Sequence, residues 1–365
     1  MKRQYYVDNL RWIWILLLIP FHTAMAWNTW EGNYIWFCPN KPLSTFVIMV
    51  CPFYMPLLFV LAGMSIRFAL QKRSTGAFLI ERVRKLLIPL LSGLVTVVAY
   101  MTYTADRFHN AYSGGFFAHY GKFFTRLTDF TGYDGCFTPA HLWFLLFLFV
   151  ASLLLLLVIA LQRRFFPAFS CKNLKLGTLL ALCVFPIACS FVLDFGGGKS
   201  IGESFALVAL GYYVFAESEI VERLARYKYV LLGFAFSASC VYAYVFVWLG
   251  DLGSPVCYIG NEISQWCGIL GFLPLGRSLF NKDFRITQYM RRRCFLIYIF
   301  HFGWIVFLQN ALSSLHLPVA LCYAVTVSGA LALTLLTAEL VRRIPGIRFL
   351  FGVKKLVKET TVTAA

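Results

Sequence analysis

DNLRWIWILLLIPFHTAMAW, residues 8–27, decides how the rest of the chain is read. It is long and apolar enough to enter a bilayer, yet it contains Asp8, Arg11 and His22. At about 100° per residue, the eleven steps from Arg11 to His22 make three turns plus about 20°, and about 16 Å along the axis. Asp8 precedes Arg11 by one turn, on nearly the same face. A helix here carries one polar stripe, with Arg11 near one membrane surface and His22 about halfway through the hydrocarbon. Ionisable groups at that depth are costly and mark sites or pathways. Two plainer readings compete. One is a histidine that only packs, with Arg11 snorkelling to the interface. The other is a cleaved leader made of Lys2, Arg3, the apolar run and Ala24-Met25-Ala26. Asp8 and Arg11 inside the run speak against a leader, as does the character of the remaining chain.

That remainder is apolar throughout. Of 365 residues 60% are hydrophobic, 18% aromatic and 13% charged, against about 25% charged in a soluble domain. The expected fold class is all-α: a polytopic helical membrane bundle of about ten transmembrane helices. Apolar spans are read near 10–29, 46–68, 86–104, 141–161, 176–193, 201–217, 229–249, 258–279, 294–312 and 318–341. Residues 1–345 form the transmembrane domain and 346–365 a basic tail. With both termini cytoplasmic and the spans alternating, twenty-six of the thirty-three Lys and Arg fall inside and five outside, at Lys41, Arg107, Lys122, Arg126 and Lys199. The positive-inside rule therefore accounts for the net charge of +17 without nucleic acid. The eleven cysteines show no C-x-x-C pair and no zinc-type cluster, so no metal is expected. Cys38, Cys136 and Cys257 fall on the outer side, where a disulfide is conceivable but has no support from spacing.

Further strings line up with the first. FVLAGMSIR follows span two, and ERVRKLLIPLL carries Arg82, Arg84, Lys85 and Pro89. HLWFLLFLF opens span four with His141 and Trp143, and FALVALGYYV holds Gly211 and Tyr212. QWCGILGFLPLGRSLFN and FLIYIFHFGW follow, the latter with His301. Together with Asp-x-x-Arg, ten residues and His in span one, this order resembles the membrane-bound acyltransferase 3 family. Within it the chain is most similar to the glucan-modifying type called glucans biosynthesis protein C. Two positions depart from that pattern: Ala62 where Ser is usual, and Gly303 where Pro is common.

The resemblance implies transfer of an acetyl or succinyl group from cytoplasmic acyl-CoA to a hydroxyl of an extracytoplasmic or cell-surface glycan. No bound cofactor is expected, and the implied partners are acyl-CoA, the glycan acceptor and the bilayer. The implied setting is the cell membrane of the cell envelope. The residues suit such chemistry by themselves. An alcohol attacking a thioester needs a base, and an imidazole serves near neutral pH. His22 is the best-placed candidate, as base or as a nucleophile that carries the acyl group. Arg11 lies too far along the helix to serve the same atoms. It is expected to orient the donor, held by Asp8; Asp8 can equally be a first-turn acid facing the helix dipole. Arg82, Arg84 and Lys85 are candidates for the CoA phosphates. The run Arg291, Arg292 and Arg293 is a second basic cluster, which plain topology explains at least as well. His141, Trp143, Glu262 and His301 are candidates for the acceptor side. The rival class is a transporter or flippase for a glycan or small metabolite, in which the same groups line a path without chemistry.

Overall fold

The computed structural model describes residues 3–196 and 199–353. Among them every major element is helical, as expected. In chain order these are α1 (Tyr5–Ala24), α2 (Lys41–Leu70), α3 (Thr75–Asn110), α4 (Phe116–Thr125), α5 (Ala140–Phe165) and α6 (Leu176–Ser190). Then come α7 (Ile201–Phe215), α8 (Ser218–Ala225), α9 (Lys228–Leu249), α10 (Pro255–Phe280) and α11 (Arg285–Arg291). The last are α12 (Cys294–Leu312), α13 (Val319–Arg343) and α14 (Pro345–Leu350). Helix starts follow from local chemistry. The Asn40 side chain accepts from Leu43 N–H at 3.1 Å before α2, Ser200 caps α7, and Ser254 followed by Pro255 opens α10.

Seven helices are long and apolar enough to cross a membrane, or eight if a bent pair counts as one span. The ten stretches read from the sequence are all helical, but three differ from plain spans. α6 is short. α7 and α8 meet at an angle of 89°. α10 has the length, yet Asn261, Glu262, Gln265 and Arg277 make it too polar.

α1 is the hub. α2, α10, α12 and α13 pack around it, and Tyr6, Leu18 and Ile19 are almost wholly buried. Pro20 interrupts its last turns and leaves the carbonyl four residues back without an N–H partner. Neighbours tie that end down: Tyr323 Oη donates to Pro20 O at 3.2 Å, and Gln309 Nε2 donates to Thr23 O at 3.0 Å. α2 crosses α7 closely because Gly63 faces Gly211, with Cα atoms meeting where any Cβ would strike backbone. Within α3, Val83–Leu87 forms a wider π-helical turn just before Pro89. That turn eases the clash between the proline ring and the preceding carbonyls.

The long loop between α3 and α5 is more ordered than a plain connection. α4 folds back so that Lys122 Nζ lies 2.7 Å from the buried Asp106 carboxylate. His119 Nε2 approaches the same carboxylate at 3.5 Å. This loop joins the first one through Tyr34 Oη to Thr131 O at 3.1 Å and His109 Nε2 to Asn33 O at 2.6 Å. Cys38, Cys136 and Cys257 are free thiols, as are the other eight cysteines. The first part of the stretch read as a tail packs on the bundle: Phe351 is buried against Phe300, ring centroids 4.7 Å apart. Residues 354–365 lie outside the described residues.

Candidate active site

The polar stripe of α1 begins at Asp8. Its carboxylate, in the first turn of α1, takes Arg3 at 2.6 Å and Arg11 at 3.2 Å. Arg11 then donates through Nη2 to Ser65 Oγ on α2 at 2.6 Å. Two bonds of different kind fix the guanidinium plane, as its fork geometry allows.

Arg11 opens onto a cavity of about 720 Å³. Its mouth is basic: Arg11, Arg73, Arg82, Lys85, Arg291, Arg292 and Arg342 face the single carboxylate of Glu81. Glu81 holds Arg73 and, at 2.6 Å, Lys85. The Arg82 guanidinium stacks over Phe78 at 4.7 Å, and its buried Nε has no hydrogen-bond partner among the described residues. Arg84 does not join this wall. It lines a smaller neighbouring cavity of about 390 Å³, with Arg73, Glu81 and Lys85 shared between the two. Arg293 also turns away, pairing with Glu339 at 2.7 Å and stacking on Tyr289 at 3.6 Å. Deeper in, the lining becomes apolar with Ile15, Leu58, Phe144, Leu145 and Leu148. Gly352 and Val353 close both cavities from the chain's far end.

Tyr298 stands at the inner limit of the cavity and touches the second feature of the site. Three imidazoles from three helices gather there. His22 of α1 lies 5.3 Å from His301 of α12, centroid to centroid, and His301 lies 5.3 Å from His141 at the start of α5. Phe302 supports all three and stacks on His22 at 4.2 Å and 18°. Tyr298 Oη donates to the His141 carbonyl. His22 is half-buried and makes no hydrogen bond among the described residues. Along α1 it lies seven residues beyond Ile15, about 10 Å further in. Lys199, before α7, is close enough to His22 and to Glu31 for its charge to act on both through space. Among the described residues no group of His, Cys, Asp and Glu could hold a metal ion.

The remaining sequence candidates sit elsewhere. Trp143 packs between Phe59 and Phe147, at 6.0 and 5.0 Å. Glu262 accepts from Asn261 at 3.1 Å and stands beside Glu203, which Gln265 holds at 2.7 Å. Neither touches the imidazoles. Conversely, no motif in the sequence singles out Ser65, Arg73, Arg342 or Tyr298, which line the cavity. Only Ser65 carried a signal, as the hydroxyl one turn beyond the departing Ala62.

Residues 4–339 match the acyltransferase 3 family model, described as an acyltransferase domain. The chain belongs to the acyltransferase 3 family. No curated protein and no solved structure matches it significantly. The match covers nearly all of this membrane acyltransferase, from the polar start of α1 to the end of α13. It also moves the carrier reading behind the enzyme reading, because the family performs group transfer. Within the acyltransferase, a basic cavity and an imidazole cluster share the hub helix and meet at Tyr298.

Proposed function

We propose that this membrane acyltransferase moves an acetyl or succinyl group from acyl-CoA to a hydroxyl of an extracytoplasmic glycan. The observation that carries the reading is the gradient inside the cavity. Seven cationic side chains surround its mouth and an apolar throat leads toward the imidazoles. CoA has the matching shape: phosphates at one end, a slender arm at the other. Basic groups suit the phosphates, and the apolar throat suits the arm. The strong bias of Lys and Arg toward one side supports a cytoplasmic mouth for the cavity.

His22 acts as general base in this reading. The glycan hydroxyl oxygen attacks the thioester carbonyl carbon while its proton passes to His22. The carbon–sulfur bond breaks, and the departing CoA thiolate takes the proton back. The ring nitrogens of His22 suit the role, since neither makes a hydrogen bond among the described residues. Lys199, Glu31 and the aromatic groups of the two interlocked loops lie on the acceptor side. The test is incubation of purified protein with radiolabelled acetyl-CoA or succinyl-CoA and candidate glycans. Ester-linked label on the glycan is expected, falling about 10²-fold or more in His22→Gln. Label trapped on the protein instead would make His22 a nucleophile. No label on any glycan, or full activity in His22→Gln, would overturn the reading.

A further inference from the structure

The tautomers of two imidazoles in this site are dictated by what they touch. His301 is fully buried, and its Nδ1 faces two carbonyl oxygens of its own helix, Ile297 O at 3.0 Å and Tyr298 O at 2.8 Å. Carbonyls only accept, so Nδ1 carries the proton and Nε2 carries a lone pair. That Nε2 is buried and has no partner among the described residues. His141 repeats the arrangement with the ring reversed: Nε2 donates to Ile299 O at 2.9 Å, and the buried Nδ1 is left unpartnered. The site therefore holds two fixed acceptors and no donor for either. Buried polar atoms are seldom left in that state, because each costs about 1–3 kcal/mol.

His22 changes this count when it reacts. A neutral imidazole has one N–H and one lone pair; an imidazolium has two N–H groups. One faces the substrate from which the proton came. The other needs an acceptor within a wall otherwise made of Phe21 and Phe302. The ring contacts of His22 among the described residues are Phe21, Phe302 and His301. His141 touches His301 and not His22.

We propose that His301 is the positioning residue for His22: its Nε2 lone pair receives the second N–H of the His22 imidazolium and holds the ring in register during transfer. The proposal rests on the reading of His22 as general base. The proton balance is unchanged, since the proton taken from the hydroxyl still returns to the thiolate sulfur. His141 packs edge-on against His301 at 81° and backs it in place. The choice of group follows from the setting. A base is commonly oriented by a third group, and a carboxylate is a frequent one. Deep in a bilayer a carboxylate is expensive. An imidazole with its tautomer fixed by backbone offers the same acceptor without a charge.

The test uses full-length protein and three variants. In His301→Asn the amide N–H group can keep the bonds to Ile297 O and Tyr298 O, but nothing replaces Nε2. In His301→Gln the longer side chain places an amide oxygen near the Nε2 position. The expected result is kcat about 10-fold or more below wild type for His301→Asn, an unchanged KM for acyl-CoA, and recovery of most of the loss in His301→Gln. A purely packing role predicts the reverse ranking or equal losses with lowered thermal stability, and either result overturns the proposal. So does wild-type kcat in His301→Asn. His22→Gln separates the two levels. If it retains activity, the base reading falls and takes this inference with it. If it is inactive while His301→Asn is normal, only the inference falls.

Discussion

Replacing Gly63 with alanine tests whether the crossing of α2 and α7 sets the site. A Cβ built on Gly63 lies 2.0 Å from Val208 O, 2.9 Å from Val208 C and 3.0 Å from Gly211 Cα. The relation is mutual: on Gly211 it lies 2.2 Å from Val60 O. These neighbours are backbone atoms, so no rotamer change can yield. The helices must part by about 1.4 Å to restore ordinary contact near 3.4 Å, and facing atoms then lose about half or more of their attraction. Overpacking of this kind costs about 1–3 kcal/mol. The effect reaches the cavity, because Ala62 lines it and Ser65, two residues beyond Gly63, holds Arg11 at 2.6 Å. Gly63→Ala is therefore expected to lower the melting temperature in detergent and to raise KM for the acyl donor. Gly233→Ala is the control. That glycine sits inside α9 with nothing within 4 Å of an added Cβ, so alanine should be neutral or stabilise by up to about 1 kcal/mol. Unaltered melting and donor KM in Gly63→Ala would refute the reasoning.

Two further expectations concern the outer end. Asp106 is buried with Lys122 at 2.7 Å, a partner that is a quarter exposed; Lys122→Met removes its cationic partner and leaves the Asn110 amide as a hydrogen-bond donor at 2.8 Å, at a cost of about 1–2 kcal/mol after allowing for screening. Limited proteolysis between residues 105 and 140 should quicken, and an unchanged rate would remove the pair from the loop's stability. Burial holds the His119 imidazole below its ordinary range, against the pull of Asp106. The depressed value means that the unfolded loop binds the proton first. The stabilisation is complete above about pH 6.5 and is lost as pH falls through the folded value. Proteolysis at pH 5.5 should outpace that at pH 7.5 in wild type and lose most of that difference in His119→Gln; equal rates in wild type would contradict the account.

The hub role of α1 was legible because depth and spacing are properties of one helix. The eleven-residue step sets Arg11 at the cavity and His22 at the cluster without help from the fold. The other imidazoles were visible as residues but not as chemistry. Nothing in HLWF or IFHF tells that His141 and His301 each give one nitrogen to a backbone carbonyl. The cavity's cations were hidden by their own abundance. Positive-inside bias explains every Lys and Arg equally, so Arg73 and Arg342 could not be told from Arg84 or Arg293. Glu262 stands out for its cost in the membrane, and its neighbour Gln265, one turn on, reaches Glu203 across 62 residues of sequence. The bend between α7 and α8 has no proline or glycine at Ala216 and Glu217 to announce it. Its anchor is Glu217, paired with Arg67 at 3.0 Å from the end of α2.

The position of α1 at the hub has a consequence for biosynthesis. This helix leaves the ribosome before the helices that bury it: α10, α12 and α13 follow some 250 residues or more later in the sequence. For most of synthesis its polar stripe faces the insertion machinery or lipid with few of its final neighbours. The Asp8–Arg11 pair is local, three residues apart, and neutralises that stretch before any tertiary contact exists. His22 has no such local companion; its companion His301 arrives 279 positions later. The helix on which the chemistry depends is thus inserted early and completed late, and arrest of translation before α12 would leave an inserted bundle without a finished site.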